Sequence, residues 1–258
     1  MTVLMPLLAL FIVGSAWGLS DAGTDLPMLI EAPTASLLDG AYLVLYVASV
    51  FTLLSATIGA VLVSFDSISH GRGSGELEVL LAQPIPRREV ANGLILGHWA
   101  AITLPTLTLT MLAIIVTARR TGGWPPLWTI ALLLIATSLL LLWYVLIQIL
   151  ASSYARDLGA AVTLGVGAWF LFTMLWLLIT SVATGLAGLE VGDAAGVESR
   201  IFAGRVDLLS PNGVFHHLLE IPLDVQRGVS PLGAWCAALL WTIVPTLLVH
   251  RRVSSLSP

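Results

Sequence analysis

Of the 258 residues, 57% are hydrophobic and only 10% are charged, and the mean hydropathy is +0.97. That balance excludes an ordinary soluble domain and leaves room for about six membrane spans of roughly 20 residues each, in a single domain covering 1–258. Acids outnumber bases 15 to 11, so nothing electrostatic supports a nucleic-acid partner; every base is arginine, so no P-loop or Schiff-base lysine exists, and the lone Cys236 allows no internal disulfide.

In chain order, the first apolar run, about Val3 to Leu19, reads as a retained span rather than a cleaved signal, because no basic residue precedes it. Ser20 to Gly40 is acidic and proline-punctuated and reads as an outside loop. A second span covers about Ala41 to Phe65. The polar stretch Asp66 to Gly97 follows. In it Ser74 is placed to cap a helical turn opened by Glu76 and Glu78, whose carboxylates suit a helix N-terminus. Leu77, Leu80 and Leu81 share the apolar face of that turn. Pro84 and Pro86 stop it, and Arg87, Arg88 and Glu89 start a second helix that becomes apolar beyond Gly93. The expectation is a short amphipathic helix at the membrane surface, bent by prolines into an elbow on the cytoplasmic side.

This stretch resembles the first cytoplasmic loop of the type-2 permeases of ATP-binding cassette (ABC) transporters. Gly75, Glu76, Leu77, Glu78, Leu80, Leu81, Pro84, Arg87 or Arg88, Glu89, Gly93 and Gly97 fall on that family's pattern at its spacing. Glu76 stands where the family often has Thr, and Leu94 where it usually has Lys. The resemblance implies that the turn from Gly75 to Leu81 is a coupling helix that docks on a separate ATPase subunit. It also implies a second permease copy, in a homodimer or heterodimer, and export-like transport. ATP and magnesium would sit in the partner, with no cofactor in this chain. Members of the family usually begin with a basic amphipathic helix, which this sequence lacks. The plain alternative is a capped interfacial helix joining two spans of an unrelated membrane protein.

A third span is expected over about Gly93 to Ala118, with Pro105 inside it. Gly93 and Gly97 form a small-xxx-small pair that suits bundle packing more than a dimer seam. Arg119 and Arg120 follow in a turn with Gly122, Gly123, Pro125 and Pro126, on the outside, and count against the assigned orientation. The fourth span is about Leu127 to Ala151, with Trp124, Trp128, Trp143 and Tyr144 as interfacial anchors or packing residues. Ser152 to Leu158 reads as a short inside loop. The fifth span, about Gly159 to Thr184, places Gly159, Gly165 and Gly167 near one another, a face that suits a dimer interface and internal packing equally.

The longest loop, Gly185 to Gly233, carries a short surface or re-entrant helix opened by Leu209, Ser210, Pro211 and Asn212 and closed by Pro222. His216 and Glu220 share a face there, with His217 beside them, but three such residues without a further ligand are ordinary at a membrane surface and no metal site is assigned. A sixth span, about Ala234 to Val249, ends on His250, Arg251 and Arg252 inside. Both termini are then cytoplasmic in a multi-pass protein of the cell membrane. The spans hold almost no ionisable residue, His98 being the main exception, so an intramembrane enzyme has no catalytic constellation; a structural or assembly protein without transport remains the rival. Within the family, the glycine-rich fifth span with W-F-L-F and the late L-S-P-N segment are similar to its copper-processing permeases. Apolar spans would equally suit a lipid, a peptide or a hydrophobic drug.

Overall fold

The computed structural model describes residues 3–22, 40–76, 79, 82–191, 196–223 and 228–255, and all regular structure among them is helical. Helix α1 (Leu4–Leu19) contains a π-helical turn at Leu10–Gly14. Then come α2 (Gly40–Ser64), α3 (Ser69–Ser74), α4 (Arg87–Thr121), α5 (Leu127–Tyr154) and α6 (Leu158–Leu186). Helix α6 carries a second π turn at Leu171–Leu175. Helices α7 (Val197–Asp207), α8 (Pro211–Glu220) and α9 (Pro231–Ser254) complete the chain. Five of these are long and apolar enough to cross a membrane, and α1 is shorter. The chain is a polytopic helical membrane protein.

The boundaries follow local chemistry. Gly122, left-handed at φ 75°, ends α4, and Pro126 precedes α5. Asp157 caps α6 by accepting the Ala160 N–H at 2.8 Å. A Ser-Pro-x-Gly sequence opens both α8 and α9: Ser210 and Ser230 accept the N–H of Gly213 and Gly233, and Pro211 and Pro231 stand in the first turn. Gly213 is required for a second reason, since a Cβ there would lie 2.1 Å from the Asp207 carbonyl oxygen. Pro105 and Pro245 are both accommodated within continuous helices.

Helix α5 is the hub. It packs against α2, α4, α6, α8 and α9, and its Leu140, Leu141, Trp143, Tyr144, Val145, Leu146 and Ile149 are buried. Trp143 and Tyr144 are therefore packing residues, whereas Trp124 and Trp128 are exposed at the end of the bundle, where an interfacial ring belongs. With no water in a bilayer core to drive helices together, hydrogen bonds between them matter. Indole N–H groups supply several: Trp99 donates to the Ser138 carbonyl, Trp143 to Thr242, Trp169 to Thr57 and Trp241 to the Leu208 carbonyl, at 2.8–3.2 Å. Buried hydroxyls on α2 bond their own helix, as Ser55 to the Phe51 carbonyl and Ser64 to that of Ala60. Helix α6 is peripheral: 6% of its apolar window is buried, against 56% for α5.

Candidate functional site

The elbow forms where α2 ends. Residues 65–68 turn the chain into α3, and Gly75, left-handed at φ 78°, ends that helix after one and a half turns. Ser74 differs from expectation. It is the last residue of α3 rather than the opening residue of the next turn, because the left-handed reversal falls at Gly75, the residue after it. Its hydroxyl still accepts from the Glu76 N–H, at 3.5 Å. Beyond Gly75 the chain is helical again at Glu76, Val79 and Ala82, and the Val79 N–H bonds the Gly75 carbonyl at 3.3 Å. Leu77, Glu78, Leu80 and Leu81 lie outside the described residues. The break comes at Gln83, Pro84, Ile85 and Pro86, and Pro86 is the residue before α4. Glu89 lies in the first turn of α4, where its charge suits the macrodipole.

Glu76, Pro84, Arg88 and Glu89 are exposed, Gly75 and Arg87 half-buried, and Val79 is 65% exposed, high for a valine unless something covers it. Ser74, Gly75, Glu76, Val79 and Gln83 line an open hollow of about 490 Å³. The described surface thus offers an apolar side chain, a carboxylate and a shallow recess together.

Polar contacts whose partners the sequence did not reveal tie the elbow and the neighbouring helix ends together. Ser152, in the last turn of α5, accepts the N–H groups of Ile68 and Ser69 at 3.1 and 3.0 Å. At the end of α9, His250 Nε2 lies 2.9 Å from Asn92 Oδ1 on α4, and Arg252 donates to the Ser153 carbonyl and stacks 4.5 Å over Tyr154. A serine or asparagine within an apolar helix was the available signal, but nothing local names its partner.

The glycines separate. Gly165 is buried against α5: a Cβ there would lie 1.5 Å from Gln148 Oε1. Gly159 is exposed, with only Asp157 Oδ1 nearby at 3.3 Å, while Gly93, Gly97 and Gly167 are exposed and face open space.

At the opposite end, α8 is buried against α5 and α9. Sequence spacing puts Glu220 on a face with His216; in the structure His217 also reaches it, with Nδ1 3.4 Å from Glu220 Oε2, and Tyr46 donates to Oε1 at 2.7 Å. His217 Nε2 meets the Gly204 carbonyl at 2.9 Å, while His216 stands edge-on to Tyr46 and Phe215. The pair stands at i,i+3 on α8, and α2 reaches the same face through Tyr46. Among the described residues no group of three His, Cys, Asp or Glu is placed to hold a metal ion. Asn212 joins three helices, accepting from the Tyr144 hydroxyl at 2.8 Å and donating at 3.0 Å to the Phe172 carbonyl within the π turn of α6. Asp207 accepts from the Trp176 indole and the Thr180 hydroxyl.

The chain is thus a bundle of apolar spans around one hub helix, with an exposed polar elbow at one end. The chain belongs to the ABC-2 family: the family model described as ABC-2 family transporter protein matches residues 1–254. It is also 28% identical over 263 residues to a probable ABC transporter permease protein, NosY, of Pseudomonas aeruginosa, an alignment covering 95% of this chain and 88% of that protein. The protein is a transmembrane permease subunit of an ABC transporter.

Proposed function

We propose that this permease docks an ATPase subunit through the elbow from Asp66 to Gly97, and that the ATPase brings the ATP and magnesium. The observation that carries this reading is the exposed Glu76 and Val79, presented between the left-handed Gly75 and the Pro84–Pro86 break at the foot of α4. A rigid corner joined directly to a long span turns a push on the elbow into movement of that span. The family supports an ATPase partner and a membrane-embedded dimer in general. The specific assembly proposed is two permease copies with two ATPase subunits in the cell membrane, export-like in direction. Helix α1 supplies the sixth span, and both termini are cytoplasmic. Helix α6 suits the contact with a second copy, since Leu177 and Leu178 are 78% and 60% exposed.

The test is a change of charge at the elbow. Glu76→Arg and Val79→Asp each place a mismatched charge in the docking contact, which costs a few kcal/mol and lowers ATPase affinity by about a hundredfold. Both variants are expected at wild-type membrane levels but without co-purifying ATPase, whereas Glu198→Arg, an exposed charge on α7, retains it. Wild-type association of both elbow variants would reduce the elbow to a connector.

A further inference from the structure

Helix α3 begins without a cap of its own. Ile68 at its N-cap offers no side-chain acceptor, and Ile68 and Ser69 are 0% and 4% exposed, so water does not serve their N–H groups. The acceptor comes from 84 residues along the chain. Ser152 Oγ takes the Ile68 N–H at 3.1 Å and the Ser69 N–H at 3.0 Å, and its own O–H donates to the Ser69 hydroxyl at 3.3 Å. Two lone pairs and one proton are the whole capacity of a hydroxyl, and all three are spent on this corner. Ser152 is itself 0% exposed. The neighbouring Ser153 turns its hydroxyl back to the Leu150 carbonyl of its own helix.

We propose that Ser152 is the positioning residue of the elbow. Its hydroxyl fixes the corner between α2 and α3 on the end of the hub helix, so that displacement of the docking surface reaches α5 instead of being absorbed in the turn. Without it the described local bonds across the corner are three long ones: the Ser67 N–H to the Ser64 carbonyl at 3.2 Å, the His70 N–H to that of Asp66 at 3.3 Å and the Ser69 hydroxyl to that of Phe65 at 3.3 Å. The direction of transmission follows from the hub. Gln148 and Tyr144 lie one and two turns above Ser152 on the same stripe of α5. Gln148 donates to the Ala161 carbonyl of α6, and Tyr144 to Asn212 of α8, so the stripe that begins at the elbow ends at the far side of the bundle. This inference rests on the reading of the elbow as the ATPase-coupling element.

The experiment is hydrogen exchange on the full chain in lipid nanodiscs, followed by hydrolysis in the complex with the ATPase subunit that co-purifies with the wild type. Ser152→Ala is expected to speed exchange at Ile68 and Ser69 about tenfold while amides of α4 and α9 keep wild-type rates. Ser152→Thr, which keeps the hydroxyl, restores protection, and Ser153→Ala leaves it unchanged. In the complex, the assembly-dependent hydrolysis falls about tenfold in Ser152→Ala and recovers in Ser152→Thr. Failure of any ATPase to co-purify with the wild type would sink the coupling reading, yet the exchange result would still decide whether Ser152 holds the corner. Unchanged exchange at Ile68 and Ser69 in Ser152→Ala, or protection lost evenly along the chain with no rescue by threonine, overturns the inference.

Discussion

Arg119 and Arg120 bring two positive charges to the end of α4 opposite the elbow, where bases are disfavoured if that end lies outside. The structure gives one of them a local purpose. Arg120 pairs with Asp21 just past the end of α1 and lies 4.7 Å over the Trp17 ring, so it fastens the short first helix to α4. Its position in the last turn also suits the negative end of the α4 dipole. The ion pair is worth little, since the two side chains are 30% and 69% exposed, and about 0.5 kcal/mol is a fair ceiling. The ring contact at a headgroup surface is worth about 1 kcal/mol. A double-mutant cycle of Trp17→Ala and Arg120→Ala, read by chemical unfolding in detergent, should therefore show a coupling near 1 kcal/mol, with Asp21→Asn costing less than either. Additivity within about 0.3 kcal/mol would mean that α1 is held by its apolar face alone. No pattern in the sequence announced this contact, because the partners stand 99 residues apart and neither lies in a periodic run.

At the scale of elements, what the sequence made legible was whatever is decided within one turn of chain. The apolar runs located α2, α4, α5, α6 and α9 within a few residues, and Pro84, Pro86, Ser210 and Pro211 marked real boundaries. Ser74 ends one helix while its hydroxyl accepts the Glu76 N–H of the next turn, because a serine before acids signals a helix start and the left-handed glycine after it a helix end. The candidate site was legible as a break and a surface, not as a corner anchored by Ser152, since hydrogen bonds between helices leave no periodic trace. The glycines of α6 illustrate the same limit. Three small residues in one span looked equivalent, but Gly165 receives Gln148 and Gly167 faces open space. Gly165→Ala should displace the Gln148 amide from the Ala161 carbonyl and cost about 2 kcal/mol in the unfolding midpoint measurement. Gly167→Ala should change stability by less than about 0.5 kcal/mol. If α6 forms the seam between copies, Gly167→Leu lowers the dimer fraction in bilayers, measured by single-molecule photobleaching, without unfolding the protomer; an unchanged dimer fraction would move the seam elsewhere.

At the scale of the whole molecule, the helices assign each charged element to one end. The elbow with Arg72, Arg87 and Arg88, the α5–α6 turn with Arg156, and the last turn of α9 with Arg251 and Arg252 share an end, as the His250–Asn92 and Arg252–Ser153 contacts require. The other end holds the α4–α5 turn and α7 with Arg200 and Arg205. The inward bias of bases therefore favours the elbow inside by a modest margin. Docking to an ATPase has the same requirement, since ATP is cytoplasmic. Both arguments are tested by one labelling experiment in a Cys236→Ser background, needed because Cys236 is exposed. Trp124→Cys in the α4–α5 turn should react with an impermeant maleimide in intact cells, and Gln83→Cys in the elbow only after permeabilisation. A rate difference of at least about tenfold is expected, because a sealed bilayer excludes a charged reagent from one side altogether. Rapid labelling at Gln83 in sealed cells, with Trp124 protected, would invert the protein in the membrane and remove the elbow from any contact with ATP.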